Sequence, residues 1–175
     1  MSNTVELFKI LSEIKKLNEQ IKELDLRGAD LCYADLIGAD LTGADLTHAH
    51  FIRANLSGAN LSGANLTYAD LFIANLTDAD LTGADLTGAL LYHSKLTNAN
   101  LSVANLRNAK LNDANLICAN LICANLSGAD LTDADLICAN LICANLSGAD
   151  LTDADLTDAN LTDANLTDVI GYKKT

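Results

Sequence analysis

The side chains best suited to chemistry in this 175-residue chain are three histidines and five cysteines. Catalysis needs a nucleophile, a base and an orienting group that converge in a cleft. The Ser, Cys and Asp residues near His48, His50 and His93 are only those that a regular repeat places along the whole chain, so they do not indicate a catalytic set. Gly58 and Gly63 have the spacing of a phosphate loop, but no Lys and Ser or Thr follow, which excludes one. The sequence therefore predicts no enzyme, no catalytic residue and no cofactor.

The elements that position every side chain come from a five-residue repeat. From Asp25 to Asp168 the chain reads A-(D/N)-L-x-x without insertion or deletion. Leu recurs at 29 successive places, broken only by Phe51, and Ala precedes it by two places, broken only by Ser94. The Asp or Asn between them is replaced at His50, Leu90, Lys95 and Lys110.

A period of five matches neither a helix nor a flat strand. Strand side chains alternate between two faces, so an odd repeat must break the alternation once per cycle. Placing Ala and Leu inside and Asp/Asn and Thr/Ser outside leaves the fifth residue outside too, and the chain must turn there. Gly and Asp at the fifth place, and Asn or Asp at the second, suit turns because they tolerate unusual backbone angles or bond their own backbone. Each pentapeptide is therefore one side of a polygon.

A longer period fixes the number of sides. The sequence of residues 116–135 is repeated unchanged at 136–155. A duplication that leaves a solenoid intact should add whole coils, so 20 residues make one coil of four sides. The 29 pentapeptides then give about seven coils, stacked at roughly 4.8 Å per rung. The predicted fold is an all-β solenoid, a four-sided parallel β-helix.

The A(D/N)LXX pattern, as in GADLT and SGANL, resembles the pentapeptide-repeat family over about 144 of the 175 residues. The resemblance implies a right-handed four-sided β-helix. It also implies non-enzymatic roles: some members protect DNA gyrase from toxins or quinolones by mimicking the shape and charge of DNA. Most members, including the many bacterial ones from cyanobacteria, have no assigned activity.

The two ends of the solenoid need covers, because terminal rungs leave backbone groups and core exposed. In residues 1–24, Asn3 and Glu6 form a capping-box pattern and apolar residues recur at spacings of three and four, which predicts an amphipathic α-helix. It serves as a cap over the first coil or pairs with a second copy. Residues 25–168 form the solenoid, and the tail, 169–175, is too short to seal the last coil. Self-association through this end, as a homodimer, is therefore an alternative.

The cysteines follow the repeat. Cys118 and Cys123 fall on successive corners, too far apart for a tetrahedral zinc site, and Cys138 and Cys143 are their duplicates. We predict structural thiols and no metal. Cys118 and Cys138 would stack about one rung apart, within disulfide reach under oxidation. An odd number of cysteines in a chain without an export signal favours reduced thiols and a cytoplasmic location.

Charge limits the partners. The chain has 23 acidic and 11 basic residues, which argues against direct binding to nucleic acid or an anionic membrane. No run of about 18 apolar residues occurs that would span a membrane. A protein partner, such as one that normally holds DNA, fits better.

Residues that break the repeat gather on one side when the chain is counted in twenties. We call this side the mixed face, and an aromatic, Arg- and Ile-bearing patch of this kind is typical of a protein-binding site. The alternative is drift on a tolerant surface. The N-terminal half of the mixed face, with one adjoining corner, carries Tyr33, His50, Ile52, Arg53, Tyr68, Phe72, Ile73, Leu90, Tyr92, His93 and Lys110. The C-terminal half is acidic, with Asp113, Asp130, Asp133, Asp150 and Asp153.

Two function classes follow. The first is a protein-interaction or scaffold rod whose acidic surface copies the potential of DNA, acting on a DNA-binding protein such as gyrase. The second is a passive structural or self-associating rod with no specific partner.

Overall fold

A computed structural model describes residues 25–172, which form a right-handed four-sided parallel β-helix. The helix predicted for residues 1–24 lies outside the described residues, as do residues 173–175. The four-sided coil and its 20-residue period, both predicted from the repeat, are confirmed by the pairing of residues that lie 20 apart.

The strands are reduced to single bridging residues. Every fifth residue from Asp30 to Asp150 pairs in parallel with the residue 20 places on, beginning with Asp30 to His50 and ending with Asp150 to Ile170. The ladder thus includes Ile170, two residues into the predicted tail. Residues 25–172 contain no α-helix, and hence none that could cross a membrane.

Each regular pentapeptide uses all five of its backbone N–H groups. Asp80 donates to the preceding coil at 2.9 Å, whereas Leu81 and Gly83 donate to the following coil at 2.7 and 2.9 Å. Ala84 donates to the carbonyl of Leu81 at 3.0 Å and so closes a tight turn. The fifth N–H, that of Thr82, donates at 3.0 Å to the side-chain Oδ1 of Asp80. The second place of the repeat is Asp or Asn because its oxygen completes this hydrogen bonding.

The corners are β-turns that run from Leu to Ala. The fifth residue of all 29 pentapeptides has a positive φ between 52° and 66°. Glycine tolerates this conformation freely, and Asn and Asp adopt it more readily than other residues do, which explains their frequency there. Ile73 and Val103 are β-branched residues in the same conformation, which strains the backbone locally.

Leu and Ala fill the interior. The Leu and Ala side chains from Leu41 to Leu151 are nearly all less than 3% exposed, and Phe51 fits into the Leu column at 0%. Each fully buried Leu contributes roughly 1.5–3 kcal/mol. Because every coil contributes one more layer, stability accrues rung by rung. The Leu residues of the first and last coils are only half-buried.

Side-chain amides form ladders along the outside. On one side Asn105 donates to Asp85, and Asn125, Asn145 and Asn165 each donate to the amide oxygen one coil earlier, at 3.0–3.3 Å. An aspartate can begin such a ladder but cannot continue it, because a carboxylate has no donor. Asn therefore links coils to each other, whereas both Asn and Asp secure the turn within a coil.

Ser94 is the one polar side chain buried in the core of the described coils. It replaces the usual Ala, is 1% exposed, and its hydroxyl has no hydrogen-bond partner. We predict that Ser94→Ala raises the free energy of unfolding by about 1–2 kcal/mol, since it removes an unsatisfied buried hydroxyl. Urea or thermal unfolding measures the change. Ser102→Ala is the control: its hydroxyl donates to Asn100 at 2.9 Å, so its loss should give no gain.

Candidate interaction face

The structure places the predicted mixed-face residues in three adjacent columns and on one neighbouring corner. The bridging column runs through His50, Leu90 and Lys110. Ile52, Phe72 and Tyr92 occupy the next position in consecutive coils, and Tyr33, Arg53, Ile73 and His93 occupy the corner after them. Tyr68 lies on the corner before the bridging column.

An apolar strip runs along the middle of the mixed face. Ile52, Phe72 and Tyr92 are partly buried and stack rung on rung, as shown by the backbone bonds from Arg53 to Phe72 at 2.9 Å and from Ile73 to Tyr92 at 3.0 Å. The ring of Phe72 meets the His93 ring edge-on, with 6.0 Å between centroids. Rigid aromatic side chains offer contact area at little loss of entropy, which suits a protein-binding surface.

The corner beside the strip carries a second aromatic contact. The rings of His48 and Tyr68 stack with centroids 5.4 Å apart and planes at 12°. The Tyr68 ring extends over Gly88, where an added Cβ would lie 2.5 Å from the ring. Gly88 therefore makes room for Tyr68, whose side chain is still 56% exposed.

Two opposite-charge contacts mark the boundary between the N-terminal half and the acidic half of the mixed face. The Lys110 ammonium lies 3.6 Å from the Asp130 carboxylate. The His93 Nδ1 atom lies 3.7 Å from the Asp113 carboxylate, a contact that becomes an ion pair when the histidine is protonated. Both pairs are substantially exposed, so each stabilises the fold little. The mixed face therefore changes from a half with balanced charges, Asp30 and Asp70 against Arg53 and Lys110, to an acidic half.

The acidic half forms two parallel columns of carboxylates. Asp113, Asp133 and Asp153 occupy one corner in consecutive coils, and Asp130 pairs with Asp150 in the bridging column. The Thr152 hydroxyl donates to Asp150 at 2.5 Å, and the Thr152 backbone N–H adds a second bond. These two bonds, the hydroxyl bond first, lower the pKa of Asp150. Asp150 therefore remains ionised at neutral pH.

Isoleucine and cysteine break the repeat on two further sides of the coil, one adjacent to the mixed face and one opposite it, where the sequence predicted structural thiols. Ile117, Ile122, Ile137 and Ile142 each precede a cysteine at a corner. Cys118 and Cys138 share one corner, and Cys123 and Cys143 share the next. Counting the chain in twenties, which groups the residues of the mixed face, also groups these isoleucines and cysteines into columns. Among residues 25–172, no three His, Cys, Asp or Glu side chains group as a metal site.

The thiols within each corner affect one another. All four are exposed and none forms a disulfide. Burial of the sulfur, followed by the neighbouring Cys118, raises the pKa of Cys138. Burial and the neighbouring Cys123 likewise raise the pKa of Cys143. The stacking of Cys118 on Cys138, predicted from the repeat, is thus present in the structure.

The C-terminal end of the solenoid is a concavity of about 610 Å³. Leu156 and Leu161 from the last coil lie in its wall, and Gly171 and Tyr172 lie at its edge. Tyr172 packs against the core but leaves these leucines half-buried. The end is therefore an open hollow lined both by these leucines and by polar groups, among them the corner residues Asp153 and Asp158.

A family model described as pentapeptide repeats matches the chain in eight copies. The matched segments together extend from residue 22 to residue 168, with a gap at 72–73. No curated protein sequence matches the chain.

Solved structures give further similarities. HetL from the cyanobacterium Nostoc sp. strain PCC 7120, a pentapeptide repeat protein involved in heterocyst differentiation regulation, is 37% identical over 85% of this chain and 75% of its own, with a TM-score of 0.45. Rfr23 from the cyanobacterium Cyanothece 51142 is 37% identical over 58% of this chain and 63% of its own, with a TM-score of 0.41. QnrB1, a plasmid-mediated fluoroquinolone resistance protein, is 22% identical over 85% and 83%, with a TM-score of 0.35.

The turn bonds to aspartate predict a specific acid sensitivity. The pKa of Asp150 and that of Asp155 are both lowered by the following threonine, so their stabilising effect is complete above the ordinary value of 3.8. It is lost as the pH falls from there through the lowered value of the folded state. We predict that Asp150→Asn/Asp155→Asn reduces the fall in melting temperature below about pH 4, because an amide oxygen keeps the turn bond without titrating.

Melting temperatures measured by circular dichroism from neutral to acidic pH test this expectation. Asp158→Asn/Asp163→Asn is the matched control. It also removes two negative charges, but from corner residues, and it leaves the acceptors of the turn bonds intact. The control should keep the acid-induced fall of the original protein. An equal effect of both double variants would show that net charge, not the turn bonds, sets the acid response.

Proposed function

Since this chain belongs to the pentapeptide-repeat family, we propose that it is a non-enzymatic protein-interaction rod that binds a DNA-binding protein through the mixed face, with its acidic half in the place of DNA. The observation that carries the proposal is the division of this face. The apolar strip of Ile52, Phe72 and Tyr92 adjoins columns of carboxylates on the same side of the coil.

Charge density supports the imitation of DNA. Residues 130–168 contain nine Asp and no Lys or Arg. They make up two coils, about 10 Å of rod, which is about one negative charge per 1 Å. Double-stranded DNA carries about one per 1.7 Å. A protein surface built to hold phosphates would therefore meet a comparable field at this end of the rod.

The apolar strip provides anchor residues, which a charged surface alone does not. Electrostatic complementarity speeds and steers association, but affinity depends mostly on a few well-packed anchors. Phe72 and Tyr92 are the largest partly exposed apolar side chains of the strip, and the Phe72–His93 ring contact limits their motion. They are the proposed anchors, and Arg53 and Lys110 beside them would pair with acidic groups at the edge of the partner's basic site.

The non-enzymatic part of the proposal is supported by the regularity of the repeat. Between residues 25 and 168 there is no insertion that could form a loop around a cleft. The hydroxyls of Thr and Ser at the fourth place are mostly committed to the preceding Asp or Asn, as in the 2.6 Å bond from Thr47 to Asp45.

DNA gyrase provides a direct test, because it is a DNA-binding enzyme whose supercoiling activity is readily measured. We predict that micromolar protein inhibits supercoiling or protects gyrase from a quinolone, and that added salt weakens the effect. Asp133→Lys/Asp153→Lys should reduce the effect at least tenfold, because it reverses the charge of the acidic column. No effect of the original protein at micromolar concentration would exclude gyrase as the partner.

The apolar strip is tested separately. Phe72→Ala/Tyr92→Ala should weaken the effect at least tenfold, as expected for two anchor residues. Ile122→Ala/Ile142→Ala is the matched control, since it removes two large apolar side chains from the same place of the repeat on the opposite side of the coil. Equal activity of both double variants would remove the mixed face from the mechanism.

A second candidate function is a rod that associates with itself, and the open C-terminal end favours it. Leu156 and Leu161 lie in the wall of the hollow there and are only half-buried. The N–H groups of Leu156 and Leu161 have no coil beyond them among the described residues, unlike that of Leu141, which donates to Asn160 at 2.8 Å. Unpaired edges of this kind favour the addition of another chain.

Sedimentation equilibrium tests this second function. We predict a homodimer that Leu161→Asp converts to a monomer, because a carboxylate in the hollow would be buried at the interface. Ile37→Asp is the control, since Ile37 is an exposed apolar residue near the other end, at 61% exposure. Circular dichroism shows whether each variant retains its β-helix. A monomer at all concentrations would contradict self-association.

A further inference from the structure

Four of the five cysteines form two stacked pairs on neighbouring corners. Cys118 lies one coil below Cys138, and Cys123 one coil below Cys143, with φ between 55° and 57° for all four. The two corners also share the same backbone hydrogen bond: the N–H groups of Cys118 and Cys123 each donate at 2.9 Å to the carbonyl of the isoleucine one coil on. Each pair is therefore a dithiol with a fixed spacing.

The fold gives no reason for cysteine at these places. A positive φ favours Gly, Asn or Asp, and the corner of Cys118 has Asn98 one coil earlier and Asp158 two coils later. A cysteine there strains the backbone without filling the core, since all four are exposed. The 20-residue duplication places cysteine directly over cysteine at both corners.

The distance between the two cysteines of a pair can be compared with the lengths of a disulfide and of two metal–sulfur bonds. Two residues with the same conformation in successive coils are displaced by one rung, about 4.8 Å. A disulfide needs Cβ atoms about 3.5–4.5 Å apart, so one closed across a rung would draw the two coils together at the corner. Two metal–thiolate bonds of about 2.3 Å in a line span about 4.6 Å. The spacing therefore suits a metal ion held between two sulfurs better than it suits a disulfide.

Each pair offers only two thiolate ligands, and this number limits which metal ion it could bind. Structural zinc takes four ligands, and the described residues offer no group of three or more. Thiolates prefer soft ions, of which Cu(I) is the common biological example with a single charge. We propose that the pairs Cys118–Cys138 and Cys123–Cys143 are two sites that each bind one Cu(I) ion through two thiolates. At each site two S–H bonds break, two S–Cu bonds form and two protons are released, with no electron transferred.

The surroundings of the pairs agree with this assignment. Ile117, Ile122, Ile137 and Ile142 precede the four cysteines and are partly buried, so they provide an apolar border beside the exposed thiols. Asp158 and Asp163 occupy the next rung of the two corners. Their charges attract a cation to this end of the rod.

The test is a titration of the reduced full-length protein with Cu(I) under anaerobic conditions, against a chromophoric Cu(I) chelator. The expected result is the transfer of two Cu(I) per chain, with two sulfur neighbours per copper in X-ray absorption. No transfer from the chelator would overturn the proposal. Formation of the two intrachain disulfides on addition of hydrogen peroxide, with no copper uptake by the reduced protein, would overturn it in favour of a redox role.

Matched double variants show whether the stacked pair is the binding unit. Cys118→Asn/Cys138→Asn removes one pair and should bind one Cu(I). Cys118→Asn/Cys143→Asn leaves the same number of thiols but breaks both pairs, and should bind none. Asparagine preserves the corner, as Asn98 does at φ 57°. Cys32→Ser should still bind two, and equal binding by the two double variants would overturn the proposal.

Discussion

The structure depends on the corner residue, the fifth of each pentapeptide, which takes a positive φ at every turn. This conformation turns the chain after only one bridging residue and sends the next Ala back into the interior. Without it, the alternation of an extended strand would bring a polar residue into the core after each Leu. The ladder, the Leu and Ala columns and the amide ladders all follow once 29 corners share that geometry.

The side chain of Asp or Asn solves the problem that each corner creates. A tight turn leaves one backbone N–H without a partner in the neighbouring coil, and the Oδ1 atom two residues earlier accepts it, as in the 3.1 Å bond from Phe72 to Asp70. Leu90 and Lys110 have no such acceptor. The mixed face therefore departs from the repeat at the bridging column, where a substitution removes a turn bond while the coil-to-coil ladder of the backbone remains.

Function, in this fold, depends on outward positions that folding leaves free. Each coil presents bridging, fourth and fifth residues to solvent, and identical positions recur one rung apart. A chemical group placed at one of them in successive coils becomes a column: carboxylates through Asp133 and Asp153, thiols through Cys118 and Cys138. The backbone fixes the spacing within each column at one rung, without any loop to shape a pocket.

The sequence by itself determined the four-sided coil, the inward Leu and Ala and the membership of the mixed face, because a period of five and a duplication of 20 residues leave one geometry. It did not determine contacts between side chains on adjacent rungs. The stacking of His48 on Tyr68 and the unsatisfied hydroxyl of Ser94 depend on rotamers, which the periodicity does not encode. Periodicity predicts positions, whereas only the packed structure decides which side chains touch.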